Sequence, residues 1–92
     1  MLRKYIIERD VPGIGANTKE GFREIARKSN EALARIGVDI QWQESFVIAD
    51  KTYCVYLATD PSLIREHAAR SGFPANRIEE VGYVLDPSHA VA

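Results

Sequence analysis

The sequence has few of the residues from which several common functional sites are built. A single cysteine, Cys54, and two histidines are present, so no intrachain disulfide can form, and the CxxC, HExxH and phosphate-loop motifs are absent. The formal net charge is −1, which gives no basic surface to attract nucleic acid or an anionic membrane. No apolar run approaches the ~20 residues that span a bilayer. We therefore predict a cytoplasmic protein with neither a nucleic-acid nor a membrane partner.

What is present indicates one α+β domain. The hydrophobic period alternates between that of strands and that of helices along the 92 residues. It predicts strands at 4–9, in a hairpin over 40–58, and at 77–85, the last one strongest over 81–85. The order is βαββαβ, which is typical of a ferredoxin-like fold: a four-stranded antiparallel sheet with two helices on one face. We assign residues 1–87 to this domain and 88–92 to a loose C-terminal tail.

Polar residues and glycines mark the helix ends. Asn17 with Glu20 three residues later predicts a capping box at the start of the first helix, and Gly37 predicts its end. Asp60 followed by Pro61 predicts the start of the second helix. Both helices would cover the same face of the sheet, so the other face is left bare. A bare apolar face predicts a homodimer.

The hairpin determines which side chains share a face. With Asp50 and Lys51 at the centre of the loop, Phe46 lies opposite Val55. One face then holds Ile40, Trp42, Glu44, Phe46, Ile48, Tyr53, Val55 and Leu57. The other face holds Gln41, Gln43, Ser45, Val47, Thr52, Cys54, Tyr56 and Ala58. The first face is more apolar, so we predict that it lies under the helices.

Two ionisable residues stand out on this predicted inner face. Glu44 is a carboxylate among apolar neighbours, and His67 lies on the inner stripe of the second helix, so the two could meet. Glu8 would join them if its side of the first strand is inward. Such a cluster is either a hydrogen-bonded polar core or a site for metal binding or acid–base chemistry. Cys54 falls on the opposite face and is either a packed small residue or a metal ligand.

Several sequence segments resemble one bacterial family. They are Ile7-Glu8-Arg9 with Val11-Pro12-Gly13, the run DKTYCVY at 50–56, and REHAARSGFPANRI at 65–78. Together they are similar to the family catalogued as domain of unknown function 4242, whose named member is a nickel-binding protein from an actinomycete. The resemblance implies a ferredoxin-like homodimer of the dimeric α+β barrel type. It also implies that nickel or another divalent transition metal is bound.

Three functional hypotheses follow. The favoured one is a metal-binding protein, with ligands from His67, Glu44 and Glu8, or with Cys54 from each subunit at a dimer interface. The second is a ligand-binding dimer or an enzyme similar to the small cofactor-independent monooxygenases of this fold. Its pocket would be lined by Trp42, Phe46 and Tyr53, with the loop 10–16 as a lid. The third is a structural dimer with no site.

Overall fold

The computed structural model describes residues 1–91 and has the predicted order of elements. The strands and helices are β1 (Arg3–Asp10), α1 (Lys19–Ile36), β2 (Ile40–Val47), β3 (Lys51–Ala58), α2 (Pro61–Ser71) and β4 (Arg77–Glu80). All strand pairs are antiparallel in the order β2-β3-β1-β4. Both helices pack on one face of this sheet, where Ile7 and Ile64 are fully buried. The predicted ferredoxin-like α+β fold is confirmed.

The helix ends follow local hydrogen bonding. At the start of α1 the capping residue is Thr18, whose Oγ1 accepts a hydrogen bond from the Gly21 amide at 3.0 Å. The cap therefore lies one residue after the predicted position, Asn17. The Asn17 side chain accepts a hydrogen bond from the Thr18 amide. Gly37 ends α1 as predicted. Asp60 caps α2, and Gly72 ends it in the left-handed conformation that favours glycine.

The last strand is shorter than predicted. Tyr5 lies opposite Glu80 in the β1–β4 pair, and regular pairing stops there. One further backbone hydrogen bond runs from the Val81 amide to the Lys4 carbonyl. The strongly strand-like run 81–85 is therefore not a strand, and the prediction is wrong there.

Residues 87–90 of the chain form a short 3-10 turn with exposed side chains. Ala92, the last residue of the predicted tail, lies outside the described residues. Among residues 1–91, neither helix has the length and apolar content needed to cross a membrane.

A β-bulge in β2 decides which side chains face the helices. Trp42 lies opposite Tyr56 and Glu44 lies opposite Val55, so Gln43 is an extra residue without a partner of its own. Because side chains alternate between faces, one extra residue allows Trp42 and Ser45 to lie on the same face. That face contains Ile40, Trp42, Ser45 and Val47 from β2, and Thr52, Cys54, Tyr56 and Ala58 from β3.

The predicted orientation of the hairpin is wrong. Its turn is centred on Ala49 and Asp50, and Phe46 pairs with Tyr53. The pairing register therefore differs from the prediction by two residues, and an even difference preserves the predicted grouping of residues from Glu44 onward. The group with Cys54 and Tyr56 nevertheless lies under the helices, while the group with Glu44 and Phe46 lies on the outer face. The prediction places the group with Glu44 and Phe46 in the core because it is the more apolar and aromatic of the two. Burial depends instead on which face of the sheet the helices cover.

Deletion of Gln43 tests the role of the bulge. Without the extra residue, Ile40 and Trp42 would turn to the outer face, and each buried apolar side chain contributes about 1.5–3 kcal/mol. We expect a loss of several kcal/mol in unfolding free energy, measured by urea denaturation with circular dichroism. The substitution Gln43→Ala keeps the bulge at an exposed position and should change stability by less than about 0.5 kcal/mol. Equal stability of the deletion and substitution variants would contradict this account.

Candidate functional site

A polar cluster is buried between the sheet and the two helices. Its members come from separate elements: Arg9 from β1, Ser29 from α1, Tyr56 from β3 and His67 from α2. Arg9 alternates with Ile7 along β1 and therefore shares the inner face with it. Arg9 is 3% exposed, Tyr56 2% and His67 0%. An arginine at this depth is rare unless it is paired.

His67 is held as a neutral imidazole. Its Nε2 and the Ser29 hydroxyl share a hydrogen bond of 3.1 Å, and its ring centroid lies 5.3 Å from that of Tyr56. Burial, helped by the positive charge of Arg9, lowers the pKa of His67 to about 4. Its Nδ1 is buried without a hydrogen-bond partner among residues 1–91.

Arg9 is a cation without a counter-ion in the described chain. Its Nη1 donates to the Pro74 carbonyl at 2.6 Å, and its guanidinium carbon lies 5.9 Å from the centroid of the Tyr56 ring. Its Nη2 is buried and has no partner. None of the ion pairs found within residues 1–91 includes Arg9. Burial raises the pKa of the Tyr56 phenol, with the charge of Arg9 opposing the shift, so this neighbour is also neutral at pH 7.

Two neighbouring cavities open beside this cluster. The inner cavity, of about 60 Å³, is lined by Arg9, Ser29 and Tyr56 together with apolar residues. The second cavity, of about 310 Å³, lies between α1 and the sheet and is mostly apolar. We call it the outer cavity because it is farther from Arg9; it lies on the helix-covered face of the sheet and not on the outer face. Five residues line both cavities: Ile14, Ile25, Trp42, Ser45 and Thr52. The two cavities together form a mainly apolar space, which we call the chamber, and its inner end is the one lined by Arg9, Ser29 and Tyr56.

The loop 10–16 forms one wall of this chamber and is attached to the hairpin turn. Gly13 donates to the Asp50 carboxylate at 2.9 Å, and Gly15 donates to the Ala49 carbonyl at 3.0 Å. A Cβ atom on Gly15 would lie 2.8 Å from the Cα atom of Ala49, so only glycine permits this approach. The loop predicted as a lid therefore fixes Ile14 against the cavity in this conformation.

The four predicted metal ligands do not lie together. His67 and Cys54 are buried on the inner face. Glu44 is exposed on the outer face, and Glu8 lies on that face too, with its carboxylate 3.6 Å from Lys51 Nζ. The expected meeting of Glu44 with His67 is therefore wrong, as is the expectation that Cys54 reaches an open-face interface. In the described part of the chain, no three His, Cys, Asp or Glu residues are grouped closely enough to hold a metal ion.

The predicted pocket residues are divided in the same way. Trp42 lines both cavities, and its indole N–H donates to the Ser45 hydroxyl at 2.9 Å. Phe46 and Tyr53 pair with each other on the outer face. Sequence reasoning missed Arg9, although its alternation with Tyr5 and Ile7 in a strand was a usable signal.

Fold and site define a class: a small ferredoxin-like α+β domain with a cavity between its sheet and helices. The sequence then identifies the family. A model of the family "Nickel responsive protein SCO4226-like" matches residues 5–81, and the chain belongs to this family. Membership of the domain of unknown function 4242 family is compatible with the match and stays a prediction.

One solved structure is similar. The crystal structure of SCO4226 from Streptomyces coelicolor A3(2) matches with a TM-score of 0.74 and 12% identity, over 89% of this chain and 99% of that one. At this identity the similarity shows the fold alone. A search among curated proteins finds no match.

The neutral state of His67 predicts acid sensitivity. The unfolded chain takes up a proton at this residue below about pH 6.5, whereas the folded chain resists it until about pH 4. Stability should therefore fall as the pH is lowered through this window, by up to about 3 kcal/mol. The measurement is urea denaturation between pH 7 and pH 4. His67→Gln should flatten the pH dependence, and His89→Gln, at an exposed position, should not. Parallel pH curves for wild type and His67→Gln would contradict the assignment.

Proposed function

We propose that the protein binds a small organic molecule in the chamber between α1 and the sheet. The observation that carries the proposal is the outer cavity, whose volume of about 310 Å³ lies at the lower end of the range of small-molecule pockets. Phe22, Ile25 and Trp42 supply apolar contact area there. Ser45 and Thr52 supply hydroxyl groups that can fix the orientation of a ligand.

The geometry supports binding rather than acid–base catalysis. No His, Cys, Asp or Glu is among the residues that line the two cavities in the described chain. His67 lies behind Ser29 and Tyr56 and has no exposed surface. A general base must come within hydrogen-bond reach of the proton it removes. We therefore propose a binding protein and not a monooxygenase-like enzyme.

The test is a titration with a neutral aromatic probe, 2-naphthamide, followed by ¹H–¹⁵N NMR. Trp42 is the only tryptophan in the sequence, so its indole N–H gives a single identifiable signal at the cavity wall. We expect saturable shifts of this signal. Ala26→Phe, which fills the cavity wall, should weaken binding at least tenfold. Ala34→Phe, at an exposed position of the same helix, should leave binding unchanged. Absence of saturable shifts in the folded wild type, both with this amide and with 2-naphthoate, which has the same ring system, would reject the proposal.

As a second candidate function we propose that two copies of the chain bind nickel between them. Membership of a nickel responsive protein family favours this candidate. The interior is a poor place for the metal, because the charge of Arg9 beside His67 repels a divalent cation. Ligands for such a site must then come from an outer surface shared by two copies.

The outer face of the sheet is the surface that supports such a pairing. Ile6, Phe46 and Ile48 are 40%, 53% and 51% exposed there, which is an apolar surface of the kind that a second copy covers. Glu44 lines a cavity on this face, so its carboxylate is available to a metal shared across the pair. We accordingly propose a homodimer formed through the outer face.

Calorimetry and light scattering with metal-free protein test this second candidate. We expect a dimer in solution and saturable nickel binding at one ion per two chains. Glu44→Gln should weaken nickel binding at least tenfold because it removes an anionic ligand. Glu20→Gln, a matched change on the exposed start of α1, should not. A monomer, or a dimer without saturable nickel binding, would refute it.

A further inference from the structure

We propose that the ligand of the chamber carries a carboxylate group and that Arg9 binds this group in the inner cavity. This inference rests on the proposed small-molecule binding and names the chemistry of the ligand. Its basis is a buried positive charge that the described chain leaves unbalanced, located at one end of an apolar cavity.

The positive charge of Arg9 is buried without a compensating partner in the described part of the chain. Arg9 is 3% exposed, yet its Nη1 donates to a backbone carbonyl and not to a carboxylate, and its Nη2 has no partner in residues 1–91. A buried ion costs several kcal/mol unless it is paired and its hydrogen-bonding groups are satisfied. Because a guanidinium stays protonated at any ordinary pH, Arg9 cannot relieve this cost by losing its proton.

None of the neighbours of Arg9 in the described chain supplies the missing negative charge. His67 is neutral at pH 7, since burial and the charge of Arg9 lower its pKa to about 4. Tyr56 is also neutral, since burial raises its pKa, and Ser29 has only a hydroxyl. The face of the Tyr56 ring offers Arg9 a weak cation–π contact. The cluster is therefore one negative charge short.

The inner cavity, with a volume of about 60 Å³, has room for a small headgroup such as a carboxylate. Arg9, Ser29 and Tyr56 line part of this otherwise largely apolar cavity, so one end of the space carries one cationic and two hydroxyl-bearing side chains. The adjoining outer cavity then receives the apolar body of the same molecule.

The chemistry of arginine fits this headgroup. Hydrogen bonds between a guanidinium and a carboxylate are charge-assisted and roughly twice as strong as neutral ones. A water molecule in the same place could accept a hydrogen bond from Nη2, but because water is neutral it would leave the positive charge of Arg9 unbalanced. The ligand class is therefore an aromatic or aliphatic carboxylic acid with a compact apolar body.

The experiment compares 2-naphthoate with 2-naphthamide at pH 7. The two probes have the same ring system and differ in charge at the headgroup. Binding is followed through the Trp42 indole signal in wild type, Arg9→Met, Arg9→Lys and Arg65→Met, the last being an exposed control on α2. In wild type and Arg65→Met we expect naphthoate to bind at least about tenfold more tightly than the amide.

In Arg9→Met this preference should disappear while affinity for the amide is retained. Arg9→Lys keeps a positive charge without the planar fork, so it should keep part of the preference. If Arg9→Met does not fold, the wild-type probe ratio and Arg9→Lys still decide the matter. Equal wild-type affinity for the two probes would overturn the carboxylate inference and leave small-molecule binding intact. Binding of neither probe to the folded protein would overturn both.

Discussion

The pairing of β1 with β3 at the centre of the sheet is the constraint on which the rest of the structure depends. These strands run antiparallel with Ile7 opposite Cys54 and Tyr5 opposite Tyr56. Since side chains alternate strictly along each strand, residues that lie opposite each other in β1 and β3 point to the same face of the sheet. This register therefore turns the pairs Ile7–Cys54 and Tyr5–Tyr56 toward the helices. It buries Ile7 and Cys54 in the core, and the same alternation carries Arg9 into the interior. The cationic end of the chamber is therefore a direct consequence of the central register.

The bulge at Gln43 adapts the edge strand to this centre. It lets Ile40 and Trp42 complete the core while Ser45 and Val47, beyond the bulge, remain on the same inner face. Bulges often occur beside functional sites, where they redirect a side chain. Here the redirected residue is Trp42, whose indole bonds to Ser45 and whose ring forms a wall of both cavities.

The unbalanced charge of Arg9 also separates the two proposed functions in space. A divalent cation and an organic anion place opposite demands on a site, and a buried guanidinium favours the anion. The interior of this domain therefore suits a carboxylate ligand. The outer face, with its carboxylates and exposed apolar residues, suits a second copy and a shared metal. The two proposed sites lie on opposite faces of one sheet, so neither proposal excludes the other.

The sequence alone determined the order of elements, and the helix ends to within one residue, because these depend on local features: hydrophobic period, capping residues and C-terminal glycines. It also determined which hairpin residues share a face from Glu44 onward, because a two-residue change in the pairing register leaves that grouping unchanged. Tertiary structure decided which face the helices cover, since that depends on β1 and on packing between distant elements. It decided the length of β4 as well, because a strand depends on pairing, and pairing with β1 ends at Glu80 although the run at 81–85 is strand-like. The position of Glu44 outside and of Arg9 inside follows from these same non-local choices, and with them the location of the candidate site.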